Sequence, residues 1–159
     1  MSRVTIGLAA LLGLLGSPGG APIAQVRMTP EEARVSSFDG GSAGSSGLTG
    51  IRTKVLIGDP TAPTIYSILL SVPANTSIPA HTHRDSRVAS VVAGEWRIGY
   101  GTTFDEAALK RLPPGSVYSE PAGIAHFART GSEPVIVQIT GVGPTDTRFV
   151  EPANEPAKR

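Results

Sequence analysis

From Ile51 to Val150 the chain is a succession of short runs rich in β-branched residues, each closed by turn residues. The separators are Gly58-Asp59-Pro60, Pro73-Ala74-Asn75, Gly94, Pro113-Pro114-Gly115 and Pro121-Ala122-Gly123. Proline presets φ, while glycine and asparagine accept conformations closed to other residues, so each separator ends one strand and redirects the chain. Turns recurring about every 8–12 residues, with no amphipathic helix between them, specify an all-β sandwich or barrel. The expected strands are Arg52–Ile57, Thr64–Ser71, Thr76–His83, Arg87–Ala93, Glu95–Tyr100, Ala107–Leu112, Ser116–Glu120, His126–Arg129, Val135–Gly141 and Thr147–Val150. Phe104 to Lys110 is the one helical-looking piece, short enough for a strand or a single turn.

A chain of 159 residues suits one domain. Its 14 basic and 13 acidic side chains, with no basic block, offer no electrostatic footprint for nucleic acid. With no cysteine, disulfides, thiolate metal sites and cysteine nucleophiles are excluded. Chemistry must run on oxygen and nitrogen.

The ends read differently from the middle. Arg3 followed by the apolar run Val4 to Leu15 and then Gly16 to Gly20 is a secretory leader pattern. The run is shorter than the roughly 20 residues a membrane-spanning helix needs, so no stable membrane anchor is expected. We expect residues 1–24 to be removed after Ala24, leaving a periplasmic or secreted chain that begins at Gln25. Residues 25–47 form an extension: Thr29 to Arg34 offers one helical turn with proline at its start, and the Gly/Ser-rich stretch from Ser36 to Gly50 reads as a linker. The polar tail 151–159 is expected to fray.

The three histidines are His81, His83 and His126. Positions i and i+2 of a strand face the same way, so His81 and His83 converge on one point. His126 follows the Pro121-Ala122-Gly123 turn, and a neighbouring strand brings it opposite the pair. Three neutral imidazoles make a half-open metal shell.

At this point the residues resemble a family. Pro79-Ala80-His81-Thr82-His83 through Gly94 is similar to the first cupin motif, with its H-x-H and a glycine after the next strand. Gly115 through Pro121, Gly123 and His126 is similar to the second, G-x5-P-x-G-x2-H, with every fixed position filled. The resemblance covers about residues 48–150 and implies a single jelly-roll β-barrel with a metal in its mouth; the Gly/Ser stretch would then pack against that barrel. The family usually supplies a glutamate shortly beyond H-x-H, but those positions here are Arg87 and Val88. A guanidinium has no lone pair to give. The chain therefore resembles the three-histidine cupins, which include acetylacetone-cleaving dioxygenases. Three neutral ligands leave the full charge on the ion, which favours anionic or enolisable substrates.

The expected function is an exported small-molecule oxygenase with one divalent transition metal, Fe(II) first and Mn, Ni, Zn or Cu as alternatives, on His81, His83 and His126. Arg87, on the strand face of Ala89 and Val91, is a candidate to clamp an anionic substrate, and Glu120 is a candidate base or fourth ligand. Asp85 reads as a turn residue, and Trp96, Tyr100, Tyr118 and Phe127 as core aromatics. Two competing readings are a non-catalytic metal- or ligand-binding module and a metal-independent isomerase working through histidine. The expected partner is a small molecule, and a homodimer is compatible with the fold.

Overall fold

The computed structural model describes residues 23–35, 39–40 and 43–156. Residues 1–22 of the expected leader therefore lie outside the described residues. Among the described residues no helix is long and apolar enough to cross a membrane.

One helix, α1 (Pro30–Val35), precedes a series of strands: β1 (Asp39–Gly40), β2 (Arg52–Gly58), β3 (Ile65–Val72), β4 (Ser77–Thr82), β5 (Arg87–Ala93) and β6 (Trp96–Tyr100). These are followed by β7 (Lys110–Leu112), β8 (Val117–Glu120), β9 (His126–Thr130), β10 (Val135–Val142) and β11 (Arg148–Phe149). The strands form two antiparallel sheets, ordered β1-β2-β3-β10-β5-β8 and β11-β4-β9-β6-β7. Sequence neighbours β4 and β5 fall in different sheets, as the crossovers of a jelly roll require. The all-β expectation holds, and each anticipated run contributes a strand.

Alternation places the core between the sheets. On β10, Val135, Val137 and Ile139 are buried while Ile136, Gln138 and Thr140 alternate outward. Ile68, Leu70, Val72, Val91, Ile98 and Trp96 meet them from both sheets. Burying a side chain of this size contributes about 1.5–3 kcal/mol, so this layer carries most of the stabilisation.

Three expectations change. The run Ala107–Leu112 splits, because the Asp105 carboxylate accepts from Ala107 N at 2.9 Å and caps a 3-10 turn over Glu106–Ala108 before β7 begins. Tyr100 is about half exposed, its hydroxyl donating to Ser119 O, so it is not a core aromatic. Phe127 is buried, as expected, with its ring over Gly99 and against Phe104. A Cβ at Gly99 would lie 2.5 Å from that ring, so only glycine fits opposite it. The tail makes a 3-10 turn at Pro152–Asn154, and Pro156 packs against Gly47.

The Gly/Ser stretch does not behave as a linker where it is described. Gly44, Ser45 and Ser46 are buried, and Thr147 Oγ1 donates to Ser45 O at 3.0 Å. Upstream, Thr29 and Glu32 form a reciprocal capping box that starts α1, and Lys54 Nζ donates to the carbonyls of Glu32 and Ala33. The extension is tied to the barrel at both places.

Candidate metal centre

His81 is the penultimate residue of β4, His83 follows the strand, and His126 opens β9, the antiparallel neighbour in which it pairs directly with His81. Strand alternation from Ile78 would not by itself aim His81 inward, because the two are three positions apart. The register shifts between Ile78 and His81, and this irregularity turns the H-x-H pair into the barrel. All three imidazoles are buried, and each offers a ring nitrogen within 4.8 Å of the others.

The ring nitrogens are assigned by their backbone partners. Nδ1 lies 2.8 Å from Pro79 O in His81, 2.5 Å from Asp146 O in His83 and 3.3 Å from Ile124 O in His126. A carbonyl oxygen only accepts, so each Nδ1 carries the hydrogen and each Nε2 keeps a lone pair. Burial lowers all three pKa values: to about 4 in His81, reinforced by His126, and to about 3 in His83, reinforced by the Arg87 charge. In His126 burial again dominates, opposed by Glu120. The cluster is therefore neutral at physiological pH, as metal ligation requires.

Arg87 and Glu120 are register partners on β5 and β8, and both point inward: Arg87 with Ala89 and Val91, Glu120 with Tyr118. Arg87 Nε donates to Glu120 Oε2 at 2.7 Å and Nη2 to the same oxygen. Nη1 donates to Gly44 O at 3.2 Å, and Nη2 also donates to His83 Nε2 at 2.5 Å. Glu120 Oε2 lies 3.6 Å from His83 Nε2, and Oε1 lies 3.6 Å from His126 Nε2. Burial, the largest single influence, would raise the Glu120 pKa, but the Arg87 charge, the neighbouring His126 and His83 and the Arg87 hydrogen bonds together outweigh it and hold the carboxyl at about 2.

These residues fit a divalent cation. His126 Nε2 is buried without a hydrogen-bond partner, and the clustered donors are three imidazole nitrogens, with the Glu120 carboxylate 3.6 Å from two of them. The enclosing cavity, lined by the histidines, Arg87, Glu120 and Gly44 among others, holds about 20 Å³, room for one water-sized occupant.

Sequence reasoning missed three participants. Gly44 seals the barrel from the extension, Asp146 orients His83 through a backbone carbonyl, and Asp85 is buried, accepting from Tyr66 Oη at 2.7 Å, rather than serving as a plain turn residue. A main-chain carbonyl leaves no residue-type signal.

No protein-family model and no curated protein matches the sequence. Solved structures do resemble it. The polyketide cyclase RemF from Streptomyces resistomycificus is 18% identical with a TM-score of 0.60, over 84% of this chain and 90% of that one. An RmlC-like cupin from Shewanella frigidimarina is 16% identical with a TM-score of 0.52, over 76% and 94%. A salicylate 1,2-dioxygenase variant from Pseudoaminobacter salicylatoxidans, in complex with gentisate, is 13% identical with a TM-score of 0.52, over 64% of this chain. The chain spans only 30% of that dioxygenase, and 60% of a similar DMSP lyase structure. At these identities the likeness shows the fold.

Proposed function

With the cupin fold and its buried three-histidine cluster as premise, we propose that this chain is an exported enzyme that binds one divalent transition metal through His81, His83 and His126 and acts on a small anionic or enolisable molecule in the manner of an oxygenase. The observation that carries the reading is the inward set of Nε2 lone pairs, fixed by three backbone carbonyls, with His126 Nε2 buried and unpartnered. The dioxygenase among the structural neighbours supports the choice of chemistry by analogy alone, because one fold hosts many reactions. Export rests on Arg3 and the apolar run Val4 to Leu15.

A bound divalent ion supplies a Lewis acid for a substrate oxygen and lowers the pKa of bound water. The chain supplies the rest. The Nδ1 hydrogen bonds hold the three rings in the ligating tautomer, Arg87 keeps Glu120 ionised beside them, and the buried strap Gly44–Ser46 excludes solvent. A substrate needs more than the roughly 20 Å³ beside the imidazoles, so its entry requires the cavity lining to move.

The small cavity also favours the second reading, a non-catalytic metal-binding module. Elemental analysis of protein expressed with its leader, paired with oxygen uptake over a panel of diketones and catechols, separates the two. Bound iron or manganese with uptake supports the enzyme, whereas tightly held zinc without turnover supports the module. His126→Ala is expected to lose the ion on dialysis; full retention there overturns both readings.

A further inference from the structure

We propose that two copies of this chain associate through the outer face of strands β3, β10, β5 and β8, with Val117 of each copy seated in a hollow on the other. That face lies on the far side of the sheet from the histidines, so the inference stands whether or not the centre holds a metal.

The face carries no charge. On these four strands the residues that alternate outward are aliphatic or neutral polar, whereas the charged pair Arg87 and Glu120 points inward. Charged side chains, lysine above all, ordinarily guard an open sheet edge against association. Here β8 is the last strand of its sheet, and its outward positions hold Val117 and Ser119. Exposure is high where the aliphatic side chains gather: 75% for Val117, 60% for Val88 and 59% for Val142, beside Ile65. Register makes these one patch, since Val142 pairs with Ile65, Thr140 with Val88, and Val88 with Ser119. The polar groups nearby bond within the face: Gln138 Nε2 and Thr140 Oγ1 both donate to Ser67 Oγ at 3.1 Å, which lowers the cost of covering them.

Self-complementarity points to a second copy as the occupant. A hollow of about 340 Å³ opens among Ile65, Ser86, Val88, Pro121 and Val142, and Val117 projects from the adjoining edge of the same face. A two-fold contact is isologous, so a projection and a recess on one face fill each other twice. A charged face would repel its own copy across such an axis, and this one has nothing to repel. At a strand spacing of about 4.8 Å and a rise of about 3.4 Å, four strands over the 7 residues of β5 span about 450 Å² in plane. Side-chain relief brings the accessible area near the roughly 600 Å² per partner of the smallest specific interfaces, so a reversible dimer of micromolar Kd is expected.

The test is sedimentation equilibrium of the protein expressed with its leader, from about 1 to about 500 µM, where a monomer–dimer equilibrium is expected. Val117→Lys and Val142→Lys should each weaken it roughly 100-fold or more, because each places an unpaired ammonium in the covered patch. Both positions are exposed in the single chain, so circular dichroism and Tm at low concentration should stay those of wild type. A chain that is monomeric at the highest concentration overturns the proposal. So does an oligomer that both lysine variants leave intact, since it uses another surface. Should either variant misfold, the wild-type chain decides: the methyl resonances of Val88, Val117 and Val142 shift with concentration when this face is covered, and a dimer that leaves them unmoved refutes the assignment.

Discussion

Replacing Arg87 with methionine in the metal-free chain strands the Glu120 carboxylate, and the cost follows from its surroundings. The two side chains are 3% and 5% exposed, and the pair is joined by two N–H donations to one oxygen. Removing one partner of such a buried pair costs about 3–5 kcal/mol, because the other charge remains desolvated. For a domain of this size that is a fall of about 10–20 °C in Tm. The two single variants are not equivalent. Glu120 is held at about 2 by Arg87, and without it burial drives the carboxyl upward until it takes a proton, which caps the penalty. A guanidinium has no such escape, so Glu120→Gln is expected to be the more damaging change. The Arg87→Met deficit should also narrow at pH 5 as Glu120 protonates. Arg87→Met/Glu120→Gln, with no stranded charge, should regain most of the loss. Thermal unfolding of the four proteins in chelator, followed by circular dichroism, gives the coupling as a double-mutant cycle. An Arg87→Met deficit under about 1 kcal/mol, or a double variant no better than the worse single, refutes the reasoning.

Three further outcomes follow from the same structure. Metal-free stability should fall as pH drops below about 6.5, since the unfolded chain protonates imidazoles that the folded one holds at about 4 and 3; Glu120, at about 2 when folded, adds to the loss below about 4.5. Because three histidines act together, denaturant titrations should show a slope approaching about 4 kcal/mol per pH unit, and a flat profile from pH 7 to 4 would contradict the buried neutral cluster. Gly44→Ala places a Cβ 2.7 Å from Ile68 Cδ1 at a φ of +90°, so it should cost about 1–3 kcal/mol and speed hydrogen exchange across residues 43–47; unchanged exchange would mean the strap is not held as described. Tyr66→Phe removes the donor to buried Asp85 and should lower stability by about 1–3 kcal/mol in urea titrations, with a smaller effect counting against that hydrogen bond.

The sequence alone carried the fold class and the three imidazoles. Strands announce themselves through β-branched runs and turn residues, which are local properties, and every anticipated run formed one. The H-x-H pair and His126 were identifiable because motif spacing reflects how far apart neighbouring strands lie in the chain. Parity put Arg87 on one face with Ala89 and Val91, and Glu120 on one face with Tyr118, but the inward aim of those faces was decided by the fold. Parity could not say that the two meet. That depends on the ladder pairing β5 with β8, fixed by the whole sheet and not by either strand. Nor could it supply the irregularity in β4 that turns His81 inward, the Asp146 carbonyl that sets the His83 tautomer from 63 positions away, or the burial of Gly44 over the site. Backbone carbonyls carry no residue identity, and a Gly/Ser run is flexible until something packs on it. The kinds of groups present were thus set locally along the chain, whereas their distances, protonation and enclosure arose only when two sheets closed on one another.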